Sequence, residues 1–197
     1  MKNAQPIGIV ILAAGASTRM GTPKQLLHFR GRSFLRHTTE IALASVCEPI
    51  VVVLGANALQ IRNEVATLSV TIVENHHWRQ GMGSSIQAGI KTLESLHNTD
   101  AVVLLLCDQP FISVDIINQL VETFYTTGKP IIASEYKQTL GVPALFSREI
   151  LPELINLNTA SGAKQVIQKY KNLVDKVSFE LGAIDIDTPE EYEQLNI

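Results

Sequence analysis

Uninterrupted apolar runs rich in Val, Ile and Leu fall at residues 7–12, 49–54, 70–73 and 101–107. Each is strand-length and lacks the alternation of a half-exposed strand, as expected for strands buried on both faces of a parallel sheet. Helical periodicity occupies the intervals 33–46, 58–67, 84–96 and 113–126, with Ser84 or Ser85 and Ser113 placed as N-caps. The resulting βαβαβαβα order predicts an α/β fold: a doubly wound, mostly parallel, Rossmann-like sheet in three layers. Ligands of such a fold sit beyond the C-terminal ends of the strands, near a topological switch. After residue 127 the pattern loosens. Pro130–Ser134 reads as a further strand, polar residues 135–139 lead into GVPALF, and helical stretches near 148–157 and 162–171 follow. A strand near 174–179 and a closing helix from Pro189 end the pattern. With no linker, repeat or low-complexity tract, the 197 residues are expected to form a single domain, 1–197, whose later half supplies a second substrate's site.

Composition narrows the class of ligand. A chain with 46% hydrophobic and 18% charged residues is globular, and a net charge of -3 gives no basic surface for nucleic acid, so the substrates are expected to be small. No apolar run is long enough to span a bilayer, and MKNAQP carries no basic region or cleavage site, so no membrane partner and a cytoplasmic location are expected. Cys47 and Cys107 lack CxxC or Cys/His spacing and read as buried thiols.

Candidate chemistry starts at the first strand, where residues 7–24 read IGIVILAAGASTRMGTPK. A small-residue turn lets backbone approach phosphates closely, and Arg19 and Lys24 follow to neutralise them. A Walker loop would need Lys and Ser/Thr directly after its last glycine, whereas Gly21 is followed by Thr22, Pro23 and Lys24. A GxGxxG fingerprint also fails, because Ala14 and Ala16 flank Gly15. The fourth apolar run ends in Asp108, Gln109 and Pro110. A carboxylate at a buried strand tip suits Mg²⁺ held by one or two carboxylates plus substrate phosphates, although a solvated or capping aspartate at a helix-entry turn fits the spacing equally. In NHHWRQGMGSSI, residues 75–86, two glycines and two serines precede an amphipathic helix and offer amides and hydroxyls at its start. His76 and His77 are adjacent and read as a solvated pair, and Trp78 as a packing anchor.

These segments together resemble the cofactor and sugar nucleotidyltransferase superfamily. Leu12, Ala13, Gly15, Ser17, Arg19, Met20, Gly21 and Lys24 match its LAxGxSxRMGxxK signature in order, CDQP resembles its metal-binding segment, and AIDIDTPEE resembles the DIDTPED stretch carrying a second metal aspartate. Within the superfamily the chain is most similar to the molybdenum cofactor cytidylyltransferases, with Ala14 and Gln109 on the cytidylyl side. The resemblance implies a Mg²⁺-dependent transfer of CMP from CTP to the terminal phosphate of a small acceptor, molybdopterin, with release of pyrophosphate. It assigns Leu12, Ala13, Ala14, Gly15, Ser17, Arg19, Lys24 and Asp108 to the nucleotide, and Gly81, Met82, Gly83, Ser84 and Ser85 to its base and ribose. Arg19, Lys24 and Asp108 become catalytic, and Asp108 and Asp187 the metal ligands, with Asp185 replacing Asp187 if the register is shifted. An ordinary helix N-cap explains Asp187 as well. A transient contact with a recipient molybdenum enzyme or its chaperone is also implied. In GVPALF, Val142 stands where these relatives have histidine, and in TASGAK, residues 159–164, Ala160 and Lys164 replace aspartate and arginine. Those departures fall in the acceptor-side region and leave the acceptor open. A guanylyl or sugar-phosphate sibling, and a nucleotide-sensing accessory protein that has lost catalysis, remain the alternatives.

Overall fold

The computed structural model describes residues 6–195, and its first strand, β1 (Ile7–Ala13), is buried along its whole length. A short hairpin, β2 (His28–Phe29) and β3 (Arg32–Ser33), leads into helix α1 (Phe34–Leu43), capped by Ser33, whose Oγ accepts from Arg36 N at 3.2 Å. Then follow β4 (Ile50–Leu54), α2 (Ala58–Ile61), β5 (Thr71–Glu74), α3 (Met82–Leu96), β6 (Ala101–Leu106) and α4 (Val114–Thr127). The later half contributes β7 (Ile131–Tyr136), β8 (Thr139–Ser147), α5 (Leu151–Ile155), α6 (Ala163–Lys169), β9 (Val174–Ser178) and α7 (Pro189–Leu195).

Seven strands form one sheet in the order β5-β4-β1-β6-β8-β7-β9, with β8 alone running against its neighbours. Side chains alternate across it. From β1, Ile7, Ile9 and Ile11 enter one core with Leu35 of α1, Ile61 of α2 and Ile117 and Leu120 of α4, whereas Val10 and Leu12 enter the other with Ile86, Ile90 and Leu93 of α3. The three-layer, doubly wound sheet expected from the apolar runs is thus present. From β1 the chain moves to β4 on one flank and from β6 to β7 on the other, so the strand order reverses between β1 and β6 and the switch point lies at their C-terminal ends.

Two local expectations require correction, and the segment around GVPALF gains an element. The helix expected over 58–67 is a single turn followed by a 3₁₀ turn at Arg62–Glu64, because Asn57 enters it in a left-handed conformation (φ 58°) and residues 65–70 run into turns. Residues 139–147, including GVPALF, form a strand despite Pro143, which is accommodated beside a register shift at Ala133/Ser134. Helix α3 starts at Met82, so Ser84 and Ser85 lie inside its first turn and Gly81 takes the cap position.

Candidate active site

At the switch point a cavity of about 360 Å³ opens between the tips of β1 and β6 and the start of α3. Leu12, Ala13, Ala14, Gly15 and Ala16 form one wall, Leu106, Cys107 and Asp108 the floor, and Gly81, Met82 and Ser85 the far side. The opening loop owes its shape to Gln25, a fully buried residue that sequence reasoning missed. Its Nε2 donates to the carbonyls of Ala13 (2.9 Å) and Gly15 (2.8 Å), while its Oε1 accepts from Ser17 Oγ (3.3 Å). Ser17, left-handed at φ 55°, also accepts from Lys24 N at 3.0 Å. It therefore holds the loop and Lys24 in place instead of lining the cavity. The only signal of Gln25 in the sequence is a polar residue beside Lys24.

Four charged side chains meet at the cavity's edge. Lys24 Nζ donates to Asp108 Oδ2 and, at 2.9 Å, to Asp187 Oδ1; Arg19 donates to Asp187 Oδ2 at 2.6 Å. Burial would lower the Lys24 pKa, but the attraction of Asp108 and its hydrogen bonds to Asp108 and Asp187 outweigh this and raise it above the usual lysine range. Burial likewise works to raise the Asp187 pKa, yet Lys24 and Arg19 prevail and hold it below the ordinary carboxylate value. At Asp185 the balance falls the other way: burial, then the charges of Asp108 and Asp187, push its pKa up against the weaker pull of Lys24. Burial and Asp108 also push the Cys107 thiol up to about 12, leaving it protonated and inert at neutral pH.

Asp187 is free for this cluster because its neighbour does the capping. Thr188 Oγ1 accepts from Glu191 N (3.3 Å), and Glu191 Oε2 accepts from Thr188 N (2.9 Å) and Asp187 N (2.7 Å), a capping box at the start of α7. Ile186 N donates to Asp108 O at 3.1 Å, stitching the two aspartate segments together. Ile186 packs with Met20, Phe29 and Phe34 in a satellite core, which docks the closing segment beside the opening loop. Asp185 lines two other cavities.

The GMGSS turn divides into two roles. Gly81, Met82 and Ser85 line the cavity, as does Trp78, which the sequence reading left to packing alone; Arg79 stacks on its ring at 4.4 Å. Gly83 and Ser84 face elsewhere. A Cβ on Gly83 would stand about 2.5 Å from Asn158 O, and one on Gly81 (φ 117°) about 2.6 Å from Thr159 O, so both glycines admit the 158–162 turn. Ser84 Oγ is engaged with Asn75 Nδ2 (2.8 Å) and with the carbonyls of Gly81 (2.7 Å) and His77 (3.1 Å). TASGAK packs behind the start of α3, with Ala160 beside Gly81 and Gly162 against Met82 Sδ. Gln109 is buried outside the lining of this cavity and donates to the carbonyls of Val142 and Gly182.

A glycine-bearing turn at a sheet switch point, two convergent carboxylates and two cations define a site for a phosphorylated ligand. Residues 9–174 match the family described as the MobA-like NTP transferase domain. The chain belongs to that family and is a nucleotidyltransferase. It is 32% identical to nicotine blue oxidoreductase of Paenarthrobacter nicotinovorans, with 94% of each chain aligned. It is 31% identical to purine catabolism protein PucB of Bacillus subtilis, covering 99% of this chain and 98% of that one. Identity to the molybdenum cofactor cytidylyltransferase of Escherichia coli is 25%, over 94% and 93%. Among solved structures, Rv0371c of Mycobacterium tuberculosis superposes with a TM-score of 0.84 at 27% identity, covering 98% of each chain, and a complex of that protein with manganese superposes at 0.79.

Proposed function

We propose that the protein transfers CMP from CTP to the terminal phosphate of molybdopterin, releasing pyrophosphate in a Mg²⁺-dependent reaction. The observation that carries this reading is the convergence of Asp108 and Asp187 on the Lys24 ammonium at the edge of the switch-point cavity. An acceptor phosphate is already an anionic nucleophile, so no activated serine or cysteine is required. The barrier is the approach of one anion to another's α-phosphorus, and it falls when charge is screened. Ala14 in the cavity wall, and the similarity to a molybdenum cofactor cytidylyltransferase over nearly the whole chain, favour CTP and this acceptor.

The residues present suit a divalent ion. Asp108 Oδ1 is buried without a hydrogen-bond partner, and Asp187 already shares a cation with Asp108. Mg²⁺ is commonly bound by one or two carboxylates, with substrate phosphates supplying further ligands. When bound there, the ion would neutralise phosphate charge. Manganese in the complex of the related mycobacterial protein supports a divalent requirement. In this scheme Lys24 and Arg19 leave the aspartates to hold the β- and γ-phosphates that depart, and the Ala13–Ala16 loop brings backbone close to them. Ser85, Gly81 and Met82 then face the base and ribose.

A panel of nucleoside triphosphates against acceptors, with Mg²⁺ and scored by pyrophosphate release, tests the assignment. CTP with molybdopterin is expected to be the sole active pair. Activity with GTP alone would make the protein a guanylyltransferase, and saturable CTP binding without release would make it a sensor.

A further inference from the structure

The far side of the switch-point cavity carries a cation that the phosphate chemistry does not use. Trp78 and Arg79 both line the cavity, and the Arg79 guanidinium lies over the Trp78 ring, 4.4 Å from its centre. Arg79 is exposed and, among the described residues, pairs with no carboxylate. Its five N–H donors are therefore held at the rim by a ring and not by an anion.

The ring beneath it is fixed. A Cβ on Gly55 would stand 2.8 Å from the Trp78 Cβ and 2.7 Å from that of Ala14, so Gly55, having no side chain, lets the root of Trp78 settle beside the Ala14 wall. Asn75 Nδ2 donates to Ser84 Oγ (2.8 Å) and Ser85 Oγ (3.0 Å), and Asn75 Oδ1 accepts from His77 N (2.9 Å). Gln80 N donates to His77 O at 2.9 Å. These bonds knit residues 75–85 into one braced turn that presents Trp78 and Arg79 to the cavity. Lys24 and Asp108 line the other side, where the triphosphate belongs in the reading above. A nucleotide lying across the cavity then brings its base to Trp78 and Arg79.

We propose that Arg79 is the residue that selects cytosine. The inference rests on the nucleotide reading above and specifies how the base is read. A guanidinium edge offers two parallel donors and no acceptor, so it recognises two adjacent acceptors. Cytosine presents such a pair in O2 and N3. Uracil carries a hydrogen on N3, and adenine sets its N6 amino group beside N1, so each turns a donor toward the fork. Guanine offers O6 and N7, but it must bring a second ring into a cavity of about 360 Å³, at the small end of the range for ligand sites. Contact with Trp78 orders the Arg79 side chain before the base arrives, which reduces the entropy lost when the two bonds form.

The test measures CTP and UTP binding to the intact chain by calorimetry, each with Mg²⁺, while the fluorescence of Trp78, the one tryptophan in the sequence, reports arrival of the base. Wild type should prefer CTP by about ten- to hundredfold, the discrimination that one bidentate arginine supplies. Arg79→Met, of similar length and able to stay on the ring, should bring the ratio close to one by weakening CTP and leaving UTP nearly unchanged. Arg79→Lys keeps the charge but not the fork and should lose the preference as well. Melting temperatures of the free variants should equal that of wild type, since the side chain is exposed. Absence of a preference in wild type, an unchanged ratio in Arg79→Met, or full preference in Arg79→Lys overturns the inference. Equal weakening of both nucleotides in Arg79→Met also overturns it, because that is the mark of a phosphate contact. Failure of wild type to bind either nucleotide is a separate result that overturns the nucleotide reading.

Discussion

Asp108 and Asp187 form a partition between the switch-point cavity and the two cavities that Asp185 lines, of about 590 and 190 Å³, and its two sides are built by different means. On the β1–β6 side the cavity is made of strand tips and a turn whose backbone is pinned by one buried side chain, Gln25, so its geometry is set by parallel pairing and by carbonyls. On the β7–β8 side the wall is an antiparallel hairpin with a strained turn, and buried amide and hydroxyl oxygens await partners. The first side presents backbone and charge, suited to the phosphates that every nucleoside triphosphate shares. The second presents individual side chains, suited to telling one acceptor from another. Substitutions on the first should therefore act on rate with any acceptor, and those on the second on acceptor choice.

The largest expected effect is at Lys24. Lys24→Ala removes a donor to a developing charge, and a loss of about 3–4 kcal/mol would slow pyrophosphate release roughly 10²- to 10³-fold. The same variant leaves Asp108 and Asp187 without the ammonium they share, so divalent affinity should rise while turnover falls. Mn²⁺ titration beside the rate assay reads both. A wild-type rate with raised affinity would reduce Lys24 to a resting occupant of the carboxylates and break the comparison. Asp108→Asn should have a comparable effect on rate in the opposite setting, abolishing metal-stimulated turnover. Unchanged metal dependence would move the ion away from the partition.

The contrast between the two sides also marks what could be read in the sequence. Apolar runs 7–12, 49–54 and 101–107 became β1, β4 and β6 because strands covered on both faces need no polar alternation, and the ends of those runs carry the first cavity. Asp108, Lys24 and Asp187 were visible as candidates through motif resemblance, but their pairing was not, since Lys24 lies 84 and 163 residues from its partners. The hairpin was poorly legible: Pro143 argues against a strand, and Lys137–Gln138 carries none of the glycine that marks such a turn. Gln109 was legible only as a marker of the cytidylyl side; its burial against the carbonyls of Val142 and Gly182, beside the smaller cavity, depends on segments far away in sequence. The capping role was spelled out in Thr188 and Glu191, three residues apart, and it is what frees Asp187.

A smaller effect probes how the first side is assembled. Gly83→Ala would drive a Cβ into the carbonyl of Asn158, and Thr159 and Ser161 stand close enough to limit retreat. Overpacking of this kind costs about 1–3 kcal/mol. For a chain of this size that lowers Tm by roughly 2–4 °C for each kcal/mol. A melting scan with and without CTP separates the outcomes. Loss of stability with retained CTP binding fits Gly83 as a packing residue, whereas loss of binding at unchanged Tm would return it to the nucleotide contacts.

The smallest effect compares two aspartates two residues apart. Asp187 is held below the ordinary carboxylate pKa, despite partial burial, by Lys24 and Arg19. Its contribution to stability is therefore full above the unfolded value near 4 and is lost as the pH falls through the depressed folded pKa. Asp185 is shifted the opposite way, by burial and then by Asp108 and Asp187. The folded state binds its proton more tightly than the unfolded state, so its charge penalises folding above the raised pKa and does so no longer below about 4. In chelator at neutral pH, Asp187→Asn should lower Tm and Asp185→Asn should raise it, each by no more than about 1 kcal/mol because both groups are partly solvated. Both differences should shrink as the pH approaches 3. Equal signs for the two variants would mean that the cations do not distinguish the side of the partition facing Lys24 from the side facing Gln109.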